Sequence, residues 1–274
     1  MSMRTGSGAN RPPGNETASQ FIARKTRRSF LVAGVTASAG LAGGQWLRTR
    51  PPDDGIPAPL RRVLNINERA ARAYFSHQRR AREFPLSQTG EPRPNGAIGL
   101  AEDADLSSWR LNIHGVAGYD HPLSLTLEDI RRLPRTDEVT ELHCIEGWSQ
   151  VVHWAGARFR DFVDRYSPTL KQPGNELRRA EGDVGYVAIE TPDAEYYVGL
   201  DMESVLHPQT LLCYEMNGEP LTNEHGAPLR LIVPVKYGIK NLKRIGTVRY
   251  TNARPPDYWA ERGYDWTRDC SSFD

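Results

Sequence analysis

The chain has 274 residues, 38% of them hydrophobic and 25% charged, which is the composition of an ordinary globular protein with enough length for a substantial core. Its net charge of +1 is unevenly spread: residues 1–50 hold eight Lys or Arg against Glu16 alone, a balance of +7, and the remainder stands at −6. An acidic body excludes nucleic-acid binding, which needs a basic face on the folded domain. The three cysteines, Cys144, Cys213 and Cys270, include no Cys-x-x-Cys pair, no haem-attachment motif and no four-cysteine set for an iron–sulfur cluster.

Residues 1–50 read as a leader. Thr26-Arg27-Arg28-Ser29-Phe30-Leu31 precedes an apolar, Ala- and Gly-rich run to Leu47, the order of a twin-arginine export signal. No small-x-small cleavage site follows at the usual distance, so a retained membrane anchor is the alternative to a cleaved leader. Residues 51–59 read as a stiff Pro-rich linker, and 60–274 as the folded domain.

In the body, Asn65 to Glu68 precede a helical stretch marked by Ala70, Ala73 and Tyr74, and capping suffices to explain the asparagines. Residues 79–98 carry three prolines and two glycines and read as a long irregular loop. Trp109, Leu111 and Ile113 alternate with polar residues as a half-buried strand does. Thr126-Leu127-Glu128-Asp129 is a capping-box start to a short helix that Pro134 ends. Glu138 to His143 is a strand that delivers Cys144 to a turn at Glu146-Gly147, with Trp148 beyond it. Val151 to Trp154 is extended, and Phe159, Phe162, Val163 and Tyr166 make one apolar helix face. Residues 185–190 and 195–199 form a hairpin about Pro192-Asp193. A short helix over 200–206, strands over 210–216, 229–233 and 247–251, and an Asn217-Gly218 turn complete the pattern. Strands mixed with short helices predict an α+β domain with a mixed β-sheet core, not a doubly wound parallel sheet.

Two stretches carry chemistry. On its own, Cys144 in HCIEGW fits an inert core thiol at least as well as a reactive one. The second stretch, residues 225–243 (HGAPLRLIVPVKYGIKNLK), gathers Arg230, Lys236, Lys240 and Lys243 on a loop shaped by Pro234 and Gly238. Arg offers a planar fork and Lys a compact charge, a pairing suited to phosphate; an ordinary solvated basic loop is the alternative.

Together, HCIEGW, the 225–243 stretch and RPPDYW at 254–259 resemble the sulfite-oxidase-fold molybdopterin enzymes, most of all the bacterial periplasmic methionine-sulfoxide reductases. The resemblance implies a sulfite-oxidase-type molybdopterin-binding domain with one molybdenum–molybdopterin per chain. Cys144 would be the metal's thiolate ligand, and Asn65, Glu68, Thr191, His225, Arg230, Lys240, Asn241, Leu242 and Lys243 would hold the cofactor. The chain departs from the family pattern after Asn65, where Glu68-Arg69 replaces Tyr-Glu, and at His225, where the reductases have Asn.

Glu146 and Trp148 follow the ligand where sulfite oxidases carry arginine, and a carboxylate there disfavours an anionic substrate. The expectation is therefore reduction of a sulfoxide or a similar S- or N-oxide, small or protein-bound. The chain has no haem or cluster motif of its own, so electrons would come from an external donor, which the resemblance implies is a membrane-bound haem subunit. A sulfite dehydrogenase on the same fold, and a cofactor-free binding module of the cell envelope, are the alternatives. The chain ends before the extra dimerisation domain of sulfite oxidases, which predicts a monomeric core. A Cys213–Cys270 disulfide is open on sequence grounds.

Overall fold

The computed structural model describes residues 18–53, 55–74, 80–91, 93–100, 105, 107–168 and 184–267, without the side chains of 18–28, 68 and 71–74. The chain divides into two compact units, Met1–Pro51 and Pro52–Asp274. In the first, helix α1 (Ala18–Arg48) contains Ser29–Arg48, an apolar segment long enough to cross a membrane and equally typical of an N-terminal signal.

The second unit begins with a ribbon, β1 (Pro52–Asp53) and β2 (Ile56–Pro57), followed at once by helix α2 (Ala58–Tyr74). The Pro-rich segment expected to be a linker is thus mostly structured. Pro59 falls in the first helical turn, where its missing N–H costs nothing. Buried Arg61 fastens the start of the helix, donating to the carbonyls of Asp53 at 3.3 Å and Ala260 at 2.9 Å.

After the irregular stretch come β3 (Leu111–His114), β4 (Leu123–Leu125), α3 (Leu127–Arg131), β5 (Arg135–His143), β6 (Ser149–Arg158) and α4 (Phe159–Arg165). Then follow β7 (Tyr186–Glu190), β8 (Tyr197–Asp201), α5 (Met202–Val205), β9 (Leu211–Met216), β10 (Glu219–Pro220), β11 (Arg230–Ile232) and β12 (Thr247–Thr251). They form two five-stranded sheets. One runs β10-β9-β6-β5 with β11 also paired to β9; the other runs β4-β3-β12-β7-β8, its β3–β12 pair parallel and the others antiparallel. This is the mixed-sheet α+β architecture that the sequence predicts.

The side-chain period of two places the site. On β9, Leu212 and Tyr214 enter the large core between the sheets, whereas Leu211 and Cys213 face the opposite side with Val152 and Trp154 of β6. On β11, Leu231 joins the large core and Ile232 the second cluster. Arg230, two residues before Ile232 and paired in register with Cys213, takes that second face, where a cleft opens.

Candidate functional site

Strands β5 and β6 form a hairpin in register from Arg135↔Ala157 to His143↔Ser149, and Cys144 begins its apical turn. The Cys144 N–H donates to the Trp148 carbonyl at 2.9 Å, and the Gly147 N–H returns a bond to the Cys144 carbonyl at 3.1 Å. Gly147 sits at φ +88°, a backbone state that a side chain would strain, so glycine closes the turn. The half-buried thiol is thereby held at the edge of a cleft of about 200 Å³ that Trp148, Trp154, His225, Arg230 and Lys243 also line.

The irregular loop before β3 is strapped across this hairpin. Phe84 N–H donates to Val139 O at 2.9 Å, Gly90 N–H to Val151 O at 3.2 Å, and Arg93 N–H to Gln150 Oε1 at 2.9 Å. The strap brings Asn95 Nδ2 to 3.5 Å from Cys144 Sγ and sets the Arg93 guanidinium 4.9 Å from the Trp148 ring centre. Trp148 Nε1 donates to exposed Glu146 at 3.0 Å, so Arg93, Trp148 and Glu146 form one group at the mouth.

The other wall is cationic. Arg230 is buried, donates to the carbonyls of His225 at 3.1 Å and Asn241 at 3.5 Å, and stacks on Trp154 at 4.9 Å; its Nε finds no partner. Burial pushes this guanidinium down to about 10. Burial, reinforced by Arg230, pushes Lys243 down to about 8, with its Nζ donating to the carbonyls of Asn95, Gly96 and Glu224. His225 is lowered by burial and then by those two cations. Gly226 lets the segments meet: at φ +94° it approaches Lys243 so closely that a Cβ would lie 2.7 Å from that side chain. Asn241 locks the intervening loop, accepting from Val233 N–H at 2.5 Å and donating to Tyr237 O at 3.2 Å.

The remaining expected residues stand elsewhere. Asn65 lies within α2, not before it, and its amide oxygen accepts from Arg254 at 3.5 Å; Asn95 is the asparagine beside the thiol. Glu68 is on α2, with its side chain outside the described residues. Thr191 is buried in the β7–β8 turn, bonding Asp193 at 2.5 Å and the Tyr196 carbonyl at 3.2 Å. Lys240 faces away from the cleft into a buried pair with Asp257 at 2.6 Å and also donates to Gly199 O. Leu242 is core, and its carbonyl accepts from Leu231 N–H at 2.8 Å. Cys213 is buried, its thiol pushed up to about 12 by burial; Cys270 lies outside the described residues. Sequence reading missed Arg93 and Asn95, whose one signal was the length of their loop.

A thiol poised over a cleft with buried Arg230 and half-buried Lys243, neither with an acidic partner among the described ion pairs, fits an anionic, metal-bearing organic cofactor: the phosphate would meet Arg230 and Lys243, the metal Cys144. The class defined by fold and site is therefore a cofactor-dependent oxidoreductase. Residues 98–259 match the oxidoreductase molybdopterin binding domain, and the chain belongs to that family. It is a molybdenum–molybdopterin oxidoreductase with the sulfite-oxidase-type fold.

Among its relatives is YedZ1 of Azospira oryzae, named provisionally as a protein-methionine-sulfoxide reductase subunit. It is 32% identical over 90% of this chain and 89% of its own length. The protein-methionine-sulfoxide reductase catalytic subunit MsrP of Xanthomonas axonopodis is 28% identical over 90% of this chain and 76% of its own. Among solved structures, the sulfane dehydrogenase SoxCD of Paracoccus pantotrophus aligns with a TM-score of 0.48 and 22% identity, covering 65% of this chain and 46% of that one.

Proposed function

We propose that this chain reduces a sulfoxide or a similar S- or N-oxide, with protein-bound methionine sulfoxide the substrate class that its relatives' names indicate. The observation that carries the direction is the mouth of the cleft, where Trp148 holds the Glu146 carboxylate by a 3.0 Å bond beside the thiol turn. A fixed negative charge disfavours sulfite, and the indole offers an apolar face to a thioether-like group. The bound cofactor supplies two-electron oxygen-atom transfer. Cys144 would hold the metal as a thiolate, with Asn95 Nδ2 3.5 Å from its sulfur and placed to donate to it. Arg230 and Lys243 would bind its phosphate, framed by the His225 and Asn241 segments. Reducing the sulfoxide would consume two electrons from the donor and two protons from solvent and release water, with exposed Glu146 at the mouth placed to relay those protons.

The donor is a membrane-bound haem subunit met outside the cytoplasm, reached by twin-arginine export; Arg27-Arg28 ahead of the apolar Ser29–Arg48 segment supports that route. One observation favours sulfite oxidation instead: the Arg93 guanidinium over Trp148 puts a cation at the same mouth. Steady-state assays of the holoenzyme separate the readings. Sulfoxide turnover with a reduced dye and little sulfite turnover with an artificial acceptor is expected; the reverse pattern overturns the proposal. Cys144→Ser abolishes either activity while leaving the fold intact. A stable wild-type protein without molybdenum or pterin, from a host competent to supply them, would leave only the binding-module alternative.

A further inference from the structure

Helix α2 carries an apolar face that the body does not cover. Projected at 100° per residue, Arg61, Leu64 and Asn65 fall on the packed side, where they are buried or half-buried. Leu60, Val63 and Ile66 fall on the other side and are 44%, 55% and 60% exposed. Exposed Arg62 and Arg69 border one edge of this stripe, and the helix as a whole holds four Arg against one Glu on a body that is otherwise acidic. A basic, amphipathic helix with apolar residues left in water has the composition of one that lies in a lipid interface.

Chain connectivity selects that occupant. The apolar segment Ser29–Arg48 ends ten residues before Ala58, so where α1 remains attached the start of α2 lies within about 35 Å of the end of the span. That leash is short beside a body whose radius of gyration is about 17 Å. Trp46 near the end of the span, with Arg50 4.6 Å over its ring, is an interfacial aromatic–cation pair. We propose that the Leu60–Val63–Ile66 face of α2 lies on an anionic lipid surface, with Arg62 and Arg69 among the headgroups. The consequence reaches the site: Arg61 on the packed side donates to the Ala260 carbonyl, next to cleft-lining Trp259, so a membrane-bound α2 fixes the cleft's orientation relative to the bilayer.

The test is amide hydrogen exchange of the full-length protein in phosphatidylcholine vesicles with and without phosphatidylglycerol, alongside Val63→Glu/Ile66→Glu. Exchange over residues 58–74 should slow about tenfold in the anionic vesicles relative to the double variant, with β7 and β12 unchanged as the check on folding. The slowing should weaken without phosphatidylglycerol and at high salt, where the arginine contribution is screened. Equal exchange in wild type and variant overturns the proposal. So does slowing that follows protein density at fixed lipid, which would assign the face to a second copy of the chain, or slowing that requires an added membrane protein.

Discussion

Arg230→Met separates a cofactor-binding cation from a structural one. Met keeps the apolar bulk of the Arg stem in its strand, so packing against Trp154 survives. The lowering of Arg230 from 12.5 to about 10 corresponds to about 3 kcal/mol of unfavourable burial of the charged form at neutral pH. Against it stand a bond to the His225 carbonyl, a longer one to Asn241, and the stack on Trp154, together about 3 kcal/mol. The two nearly cancel. Without cofactor the variant should therefore match the wild type within about 1 kcal/mol, a shift in Tm of at most about 4 °C for a body of this size. Loss of a charge-assisted phosphate contact from a buried side chain should weaken cofactor binding by about 3 kcal/mol or roughly a hundredfold. Molybdenum and pterin per chain after extensive dialysis, with thermal denaturation of cofactor-free protein, reads both quantities. Full cofactor retention, or destabilisation beyond about 3 kcal/mol with retention unchanged, would refute the assignment.

Asp257→Asn leaves the buried Lys240 ammonium without a counter-charge, beside the Gly199 carbonyl and the Trp266 ring, and should lower stability by about 3–5 kcal/mol and Tm by about 10 °C. The Lys240→Met/Asp257→Asn pair should lose less than the single change, as a double-mutant cycle would show. Glu138 is buried and held above the usual carboxylate range by burial, which outweighs its bond from Gln209. The native state thus keeps that proton above pH 4.5, where the unfolded chain releases it, and stability falls as pH rises through the window. Glu138→Gln should raise Tm at neutral pH and leave it unchanged below pH 4.5, the opposite trend refuting the sign.

Features closed within a few residues were legible in the sequence. Thr126 does cap α3, exchanging bonds with Asp129 as its spacing predicts. Phe159, Phe162 and Val163 are buried on α4, and β7 pairs with β8 across the predicted turn. Site residues brought in by distant backbone pairing were not. Nothing near Asn65 or Asn95 in sequence tells which one returns to the thiol; that is settled by bonds such as Phe84 N–H to Val139 O, which lay the loop along β5. Lys240 and Lys243 share one charge pattern, yet only the former finds Asp257, an acid visible in RPPDYW but pairable only through the fold. The Pro-rich segment misled because proline marks both stiff linkers and first helical turns.

The two halves of the site are held by different means, and this decides where substrate choice resides. Arg230 and Lys243 depend on strand pairing and on the close approach at Gly226, so changes there disturb the binding wall. The turn from Cys144 to Trp148 is closed by its own backbone bonds, with the Glu146 side chain exposed and held by Trp148. Glu146→Arg should therefore alter the mouth at little structural cost, within about 1 kcal/mol, since a surface hydrogen bond contributes no more than that. Reversing a charge beside the thiol should favour anions during encounter and raise the sulfite-to-sulfoxide ratio of kcat/KM about tenfold, the gain shrinking with salt. Steady-state kinetics at two ionic strengths measure it. An unchanged ratio in a normally folded, molybdenum-replete variant would remove Glu146 from substrate selection and leave Arg93, stacked on Trp148, as the charge that governs the mouth.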